Sequence, residues 1–216
     1  MRIIAFGDIH MEYDQAATIP EIDRADLVII TGDFTNYGGR EDAAKVLRAI
    51  RNLNPNVLAV MGNLDNPSVH EFLVEEGISI HGTGLTIGGA AIFGVGGSNI
   101  TPFDTPTEFS EEELKKIVEQ AHSEVADQPV KILVSHTPPL NTVTDKINSG
   151  ANVGSSAIRE FIEDVQPDFC LTGHIHEAKG TDKIGKTLIL NPGMLSGPGW
   201  IEVIKDDSGD WKAVLH

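Results

Sequence analysis

Short apolar runs of three to five residues recur along this chain, and five of them lead straight into a polar signature. Ile3 to Phe6 precedes Asp8-Ile9-His10, Leu27 to Ile30 precedes Gly32-Asp33, and Val57 to Met61 precedes Gly62-Asn63. Ile132 to Val134 leads to His136, and Phe169 to Leu171 leads to Gly173-His174-Ile175-His176. Runs this short, rich in branched residues and apolar throughout, read as buried strands. A chain built on such strands must cover them, which constrains it to a layered architecture.

The segments between the strands supply the cover. Ala43, Val46, Leu47 and Ile50 recur at helical spacing and predict a helix from about Glu41 to Leu53, broken by Asn54-Pro55-Asn56. A second helix starts near Pro67, buries Val69, Phe72 and Leu73, and ends at Gly77 as a C-terminal cap. From Ile78 to Gly97 brief apolar strands alternate with glycines, as hairpins and edge turns require, so a second sheet region begins there. Thr101 to Phe109 reads as a proline-containing loop. Ser110 with Glu113 forms a capping box for a helix whose Leu114, Ile117, Val118 and Ala121 share a face. A last helix spans Ser155 to Val165, stopped before Pro167, and Leu188 to Leu190 and Trp200 to Ile204 read as the final strands, separated by Asn191-Pro192-Gly193. The alternation is that of an α/β chain, expected to form one domain over residues 1–216.

Charge narrows the partners. The 16 basic and 32 acidic residues leave a net charge of -16, which opposes strong binding to nucleic acid or to an anionic membrane surface. Cys170 is the only cysteine and sits in an apolar run, so its expected role is a small core residue in a reducing, cytoplasmic setting. No stretch is long and apolar enough to span a bilayer, and the first residues are too short a run for a signal peptide.

Each polar signature, taken alone, is satisfied by a turn. Asp8 and His10 also suit a chelating pair, because alternate residues of an extended segment face the same way. Gly32 allows close backbone approach, so Asp33 can sit between two ions. The Asn63 amide oxygen adds a ligand without adding charge, His136 is a candidate imidazole ligand, and His174 and His176 repeat the alternate spacing. Four of the eight histidines, at 10, 136, 174 and 176, fall at strand ends beside Asp8, Asp33 and Asn63. Independent turns explain the set poorly. The other four, His70, His81, His122 and His216, lie elsewhere and are assigned surface or structural roles.

This ordered set resembles the calcineurin-like metallophosphoesterase family, whose pattern runs Asp-x-His, Gly-Asp, Gly-Asn-His-Asp or Gly-Asn-His-Glu, a lone His, then Gly-His-x-His. The match spans about Asp8 to His176, and Asn191-Pro192-Gly193 is similar to a late feature of the same family. The resemblance implies a four-layer sandwich of two mainly mixed β-sheets flanked by helices, with metals at the strand ends. It implies that Asp8, His10, Asp33 and His176 hold one divalent ion and that Asp33, Asn63, His136 and His174 hold the other. Asp33 would bridge, and Asp33, Asn63, His136 and His174 form the expected catalytic group. Mixed nitrogen and oxygen donors suit manganese, iron, zinc or nickel better than calcium. Two divalent ions, two carboxylates and a bridging hydroxide sum to about +1, enough to attract a small phosphorylated substrate despite the acidic exterior. The implied reaction is phosphate-ester hydrolysis by a two-metal-activated hydroxide.

One position departs from the pattern. Leu64 stands where the family commonly has His, and leucine cannot protonate a leaving oxygen. The expected consequence is a bias towards good leaving groups, with phosphodiesters modestly preferred over monoesters and with Asp65 or a bound water as substitute acid. Arg40 and Asn36 are candidate phosphate contacts, and Gly96 to Asn99 and Asn141 to Gly154 candidate pocket borders. The second expectation is a metal-binding protein-interaction scaffold of the same fold with weakened catalysis.

Overall fold

The computed structural model describes residues 1–216 and sorts the strands into two mixed sheets. In the first sheet β1 (Arg2–Phe6), β2 (Leu27–Ile30) and β3 (Val57–Ala59) run parallel. β12 (Ile201–Lys205) and β13 (Trp211–Leu215) add antiparallel partners on the far side of β1. The second sheet orders β10 (Gly180–Ile184), β11 (Thr187–Asn191), β9 (Phe169–Thr172), β8 (Val130–Ser135), β5 (Ala90–Val95) and β4 (Gly84–Ile87). Its inner strands β11, β9, β8 and β5 are parallel, and β10 and β4 close the edges antiparallel. A further pair, β6 (Ser98–Asn99) with β7 (Glu108–Phe109), brackets the proline-containing segment expected to be wholly loop.

Side-chain alternation divides each strand between two cores. From β1, Ile3 and Ala5 face the second sheet, while Ile4 and Phe6 face the helices α1 (Arg40–Leu53) and α2 (Pro67–Glu75). From β8, Ile132 and Val134 join the inter-sheet core, while Leu133 packs with α3 (Glu111–Ser123) and α4 (Ser156–Val165). Three apolar layers therefore separate four structural ones, the expected sandwich. Uninterrupted hydrophobicity was required because neither face of these strands meets water.

The helices follow their local chemistry. Ser110 caps α3 by accepting from the Glu113 N–H at 3.3 Å, while Glu113 Oε2 accepts from the Ser110 N–H at 2.8 Å. Pro67 opens α2, where a missing N–H costs nothing. Both expected final strands are present, as β11 and β12 in different sheets, but a further strand, β13, follows them. β10 and β13 alternate partly buried with exposed residues at sheet edges, so neither contains the continuous apolar run by which inner strands are recognised. No helix is long and apolar enough to cross a membrane.

Candidate metal centre

The parallel strands of both sheets end at one place. Asp8 and His10 follow β1, Asp33 follows β2, Asn63 lies beyond β3, His136 follows β8, and His174 and His176 follow β9. Two bonds bind the sheets there: His136 Nδ1 donates to the Thr31 carbonyl at 2.8 Å, and the His174 N–H donates to Asp8 Oδ1 at 3.1 Å. A Cβ on Gly32 would stand 2.4 Å from His136 Nδ1, and one on Gly62 would stand 2.0 Å from Asp33 Oδ1. Gly32 thus lets the two sheets meet at this point, and Gly62 lets the Asn63 loop pass against Asp33 within the first sheet.

The chelating turn is not the extended one that alternate spacing suggested. Asp8, His10, Asp33 and His174 all have positive φ, at 48°, 47°, 51° and 68°. Left-handed backbone costs a non-glycine residue roughly 1–2 kcal/mol, and here it falls on four of the seven expected ligands. The Asp8, Ile9 and His10 N–H groups are tied to the Gly32 and Asp33 carbonyls, which hold the turn in shape.

Two groups of donor atoms share Asp33. In the first, His10 Nε2 lies 3.0 Å from His176 Nε2, His176 Nε2 lies 3.2 Å from Asp8 Oδ1, and His10 Nε2 lies 3.9 Å from Asp33 Oδ2. One donor atom from each of Asp8, His10, Asp33 and His176 falls within 4.8 Å of the others. In the second, His136 Nε2 is 3.0 Å from Asn63 Oδ1 and 3.5 Å from Asp33 Oδ2. The His174 ring centroid is 5.2 Å from that of His136.

The donor chemistry fits cations. The Thr31 carbonyl can only accept, so His136 carries its proton on Nδ1 and, when neutral, presents a lone pair at Nε2. The Asn63 Nδ2 group donates to Thr105 Oγ1 at 3.0 Å, which turns its Oδ1 towards the same point. Three lone-pair atoms from His136, Asn63 and Asp33 thus converge on a buried spot, an arrangement that only a proton or a metal ion relieves. Donors about 2.1 Å from a common ion and at right angles lie about 3 Å apart, the spacing seen for the closest pairs in both groups.

The ionisation pattern follows from the same crowding. Burial opposes charge on His136, but the adjacent Asp33 carboxylate outweighs it and raises the imidazole above its usual range. Asp33 is likewise opposed by burial, yet His136, His10 and His174 hold its carboxyl below the ordinary value. His174 is buried beside His136 and is pushed down to about 4, which keeps it neutral and ligand-competent.

Other expected contacts resolve differently. Asp65 is fully buried and accepts from the N–H groups of Phe34, Thr35 and Gly62 and from Thr35 Oγ1, at 2.9–3.1 Å. It knits the Asp33 loop to the Asn63 loop and cannot reach a leaving group. The Arg40 guanidinium pairs with Glu75 on α2 and lies over the Phe72 ring, away from the centre. Asn36 donates to the His10 carbonyl at 3.1 Å, so it supports a ligand rather than touching phosphate. Asn99 and part of the 141–154 loop do border a cavity at the centre.

Three further residues support the ligands; Thr105 and Glu108 carry no local sequence signal, whereas Asn191 belongs to the Asn-Pro-Gly turn legible in the sequence. Thr105 orients Asn63, and Glu108 holds Thr105 through Oγ1 at 2.6 Å. Asn191 donates to the Ile175 carbonyl at 2.9 Å while its Oδ1 accepts from the Gly193 N–H at 2.8 Å, so the late Asn-Pro-Gly turn braces the His174–His176 segment.

Residues 1–178 match the calcineurin-like phosphoesterase family, and the chain belongs to that family. It is 36% identical over 197 residues to the uncharacterized protein MJ1162 of Methanocaldococcus jannaschii, with 89% of this chain and 88% of that one covered. Among solved structures, TT1561 of Thermus thermophilus is similar at a TM-score of 0.73 and 18% identity, covering 99% of this chain and 97% of that one. A dimetal phosphatase of Danio rerio is similar at a TM-score of 0.59 and 10% identity, covering 94% and 92%. These two likenesses establish the fold. Family membership and the Asp8, His10, Asp33 and His176 cluster together support a metal-dependent hydrolase of phosphate esters.

Proposed function

We propose that this protein is a two-metal phosphoesterase that prefers diesters with good leaving groups. The observation that carries the reading is the position of Asp33 Oδ2, 3.9 Å from His10 Nε2 on one side and 3.5 Å from His136 Nε2 on the other. Asp8, His10, Asp33 and His176 would hold one divalent ion, and Asp33, Asn63, His136 and His174 the second, with manganese, iron, zinc or nickel suited to the donors. When bound, the pair supplies Lewis-acid charge for the phosphoryl oxygens and an activated water.

The chain's own residues orient these donors and exclude alternatives. Thr31 fixes the His136 tautomer, Thr105 fixes the Asn63 amide, and the His174 N–H holds Asp8 by donating to both carboxylate oxygens at 3.1 Å. What the site lacks is a free proton donor. Residue 64 is leucine, the Asp65 carboxylate is fully engaged by its donors, and the adjoining cavity adds only Glu177 to the two ligand histidines as a titratable group. Positioned acid catalysis is worth about 10²–10⁴ in rate for a poor leaving group and little for a stabilised aryl oxide.

Leu64 also motivates the other reading, a metal-binding interaction scaffold. A manganese-supplemented assay of bis(p-nitrophenyl) phosphate against p-nitrophenyl phosphate separates the two, alongside Asp33→Ala and elemental analysis of protein purified without added metal. The expected result is faster diester turnover that is lost in Asp33→Ala together with the metal. Stoichiometric metal without turnover on a broad panel of phosphate esters would favour the scaffold.

A further inference from the structure

Beside the ligand cluster the surface sinks into a cavity of about 710 Å³, a size typical of small-molecule pockets. Asn63, His174 and His176 contribute to its lining, so it opens onto the metal centre. One wall is the segment from Asn99 to Phe103, and the other comes from Ile147 to Gly154.

The lining has a one-sided chemistry. It contains no Lys or Arg, its only carboxylate is Glu177, and its remaining polar side chains away from the centre are chiefly amides, from Asn99, Asn148 and Asn152. A second phosphate or another anion on the substrate would meet no compensating cation there, in a chain whose net charge is already -16. On that first wall, Ile100 and Phe103 are 66% and 76% exposed, two large apolar side chains without cover. An aromatic face beside amides suits a flat ring, stacked on one side and hydrogen-bonded at its edge.

Both walls are preformed. Glu108 accepts from the Thr101 N–H and hydroxyl at 3.1 and 2.5 Å and from the Thr105 N–H and hydroxyl at 2.9 and 2.6 Å, which fastens the loop that presents Phe103. Asp145, fully buried, accepts from the N–H groups of Thr142 and Gly154 at 2.8 and 2.9 Å and from Asn152 Nδ2 at 2.5 Å, which fastens the opposite loop. Walls ordered before binding lose little entropy when a ligand enters.

We infer that this cavity receives an uncharged aromatic ester group of the substrate, with Phe103 and Ile100 as specificity-determining contacts, and that it discriminates against polyanionic phosphate esters. The inference deepens the phosphoesterase reading and rests on it.

Three substrates sharing p-nitrophenol as leaving group test it on metal-loaded protein: the methyl, phenyl and 3,5-dicarboxyphenyl esters of p-nitrophenyl phosphate. The phenyl ester is expected to exceed the methyl ester in kcat/KM by about tenfold or more, through KM. The dicarboxyphenyl ester should fall at least about tenfold below the phenyl ester, a deficit that Glu177→Lys narrows. Phe103→Ala should lower the phenyl-to-methyl ratio several-fold, and Ile100→Ala should do so to a smaller degree. Equal kcat/KM for the methyl and phenyl esters, or a ratio unchanged in both variants, would overturn the inference. If none of the three is hydrolysed, the phosphoesterase reading fails by itself, and calorimetric binding of diphenyl phosphate against dimethyl phosphate decides the pocket. Ring-dependent binding weakened by Phe103→Ala supports it, and indistinguishable binding of the two overturns it.

Discussion

The Asn63 side-chain amide donates to the Thr105 hydroxyl at 3.0 Å, and that hydroxyl donates to Glu108 Oε1 at 2.6 Å. A candidate metal ligand and a wall of the adjoining cavity therefore hang from one carboxylate. The bond also decides which end of the amide meets His136, since an unrestrained Asn63 presents nitrogen or oxygen with similar ease.

Thr105→Val keeps the shape of the side chain and removes the hydroxyl. Metal affinity is expected to fall by about 10–100-fold, the usual cost of losing an outer hydrogen bond to a ligand. Titration of metal-free protein followed by calorimetry would measure it. Thr105→Ser should retain most of the affinity, and equal affinity in wild type and Thr105→Val would show that Asn63 is oriented by something else.

Asp65→Ala should destabilise the fold more than any change at the rim. Four donors, three of them backbone N–H groups, converge on this carboxylate in a fully buried position. Each buried donor left without a partner costs about 1–3 kcal/mol, so a loss of about 3 kcal/mol or more is expected in urea unfolding of metal-free protein. A loss below 1 kcal/mol, within the range of ordinary surface changes, would contradict the stapling role.

How much of this was legible beforehand depends on what each residue's neighbours in sequence reveal. The seven expected ligands converge because each terminates an apolar run, and strand ends of parallel sheets fall together. Direction was not legible. Asp65 lies two positions from Asn63 and has the right chemistry for an acid, but the turn points it inward onto backbone N–H groups. The Asp8 and His10 turn reaches the centre through left-handed residues that no spacing rule anticipates. Thr105 and Glu108 act across 42 positions from Asn63 to Thr105, a relationship that exists only after folding. The edge strands β10 and β13 lack a clear sequence signal for a different reason: exposed residues alternate with partly buried ones along each, so their hydrophobicity is diluted.

His81 supplies a pH dependence separate from the metal centre. Its Nδ1 accepts from the Gly96 N–H at 2.9 Å, and its ring packs between His70 and Phe109. Burial, aided by His70, pushes its pKa down to about 3. The folded state thus prefers neutral His81, so the contribution is present above about 6.5, the unfolded value, and is lost as pH falls towards 3. Each unit of pH within that window removes up to about 1.4 kcal/mol. Urea unfolding of metal-free wild type should therefore weaken from pH 7 to pH 5 more steeply than that of His81→Gln, and parallel curves would exclude His81 as the source.

Leu64→His tests the missing proton donor directly. The N–H of residue 64 donates to Asp33 Oδ1 at 2.8 Å, and its carbonyl accepts from the Tyr37 N–H at 3.0 Å. The backbone is thus pinned to the centre, and a new side chain there changes chemistry without releasing a ligand. The position is partly exposed, so an imidazole is accommodated without the cost of burying it. Turnover of alkyl phosphomonoesters, whose leaving oxygens need a proton, is expected to rise by about 10²-fold, the lower end of what positioned acid catalysis supplies. Aryl diesters should change little, because their leaving groups depart unprotonated. The distinguishing readout is therefore the dependence of rate on leaving-group pKa, which should flatten in the variant. A folded, fully metal-loaded Leu64→His protein with the wild-type dependence would remove leucine at this position as the explanation for substrate bias.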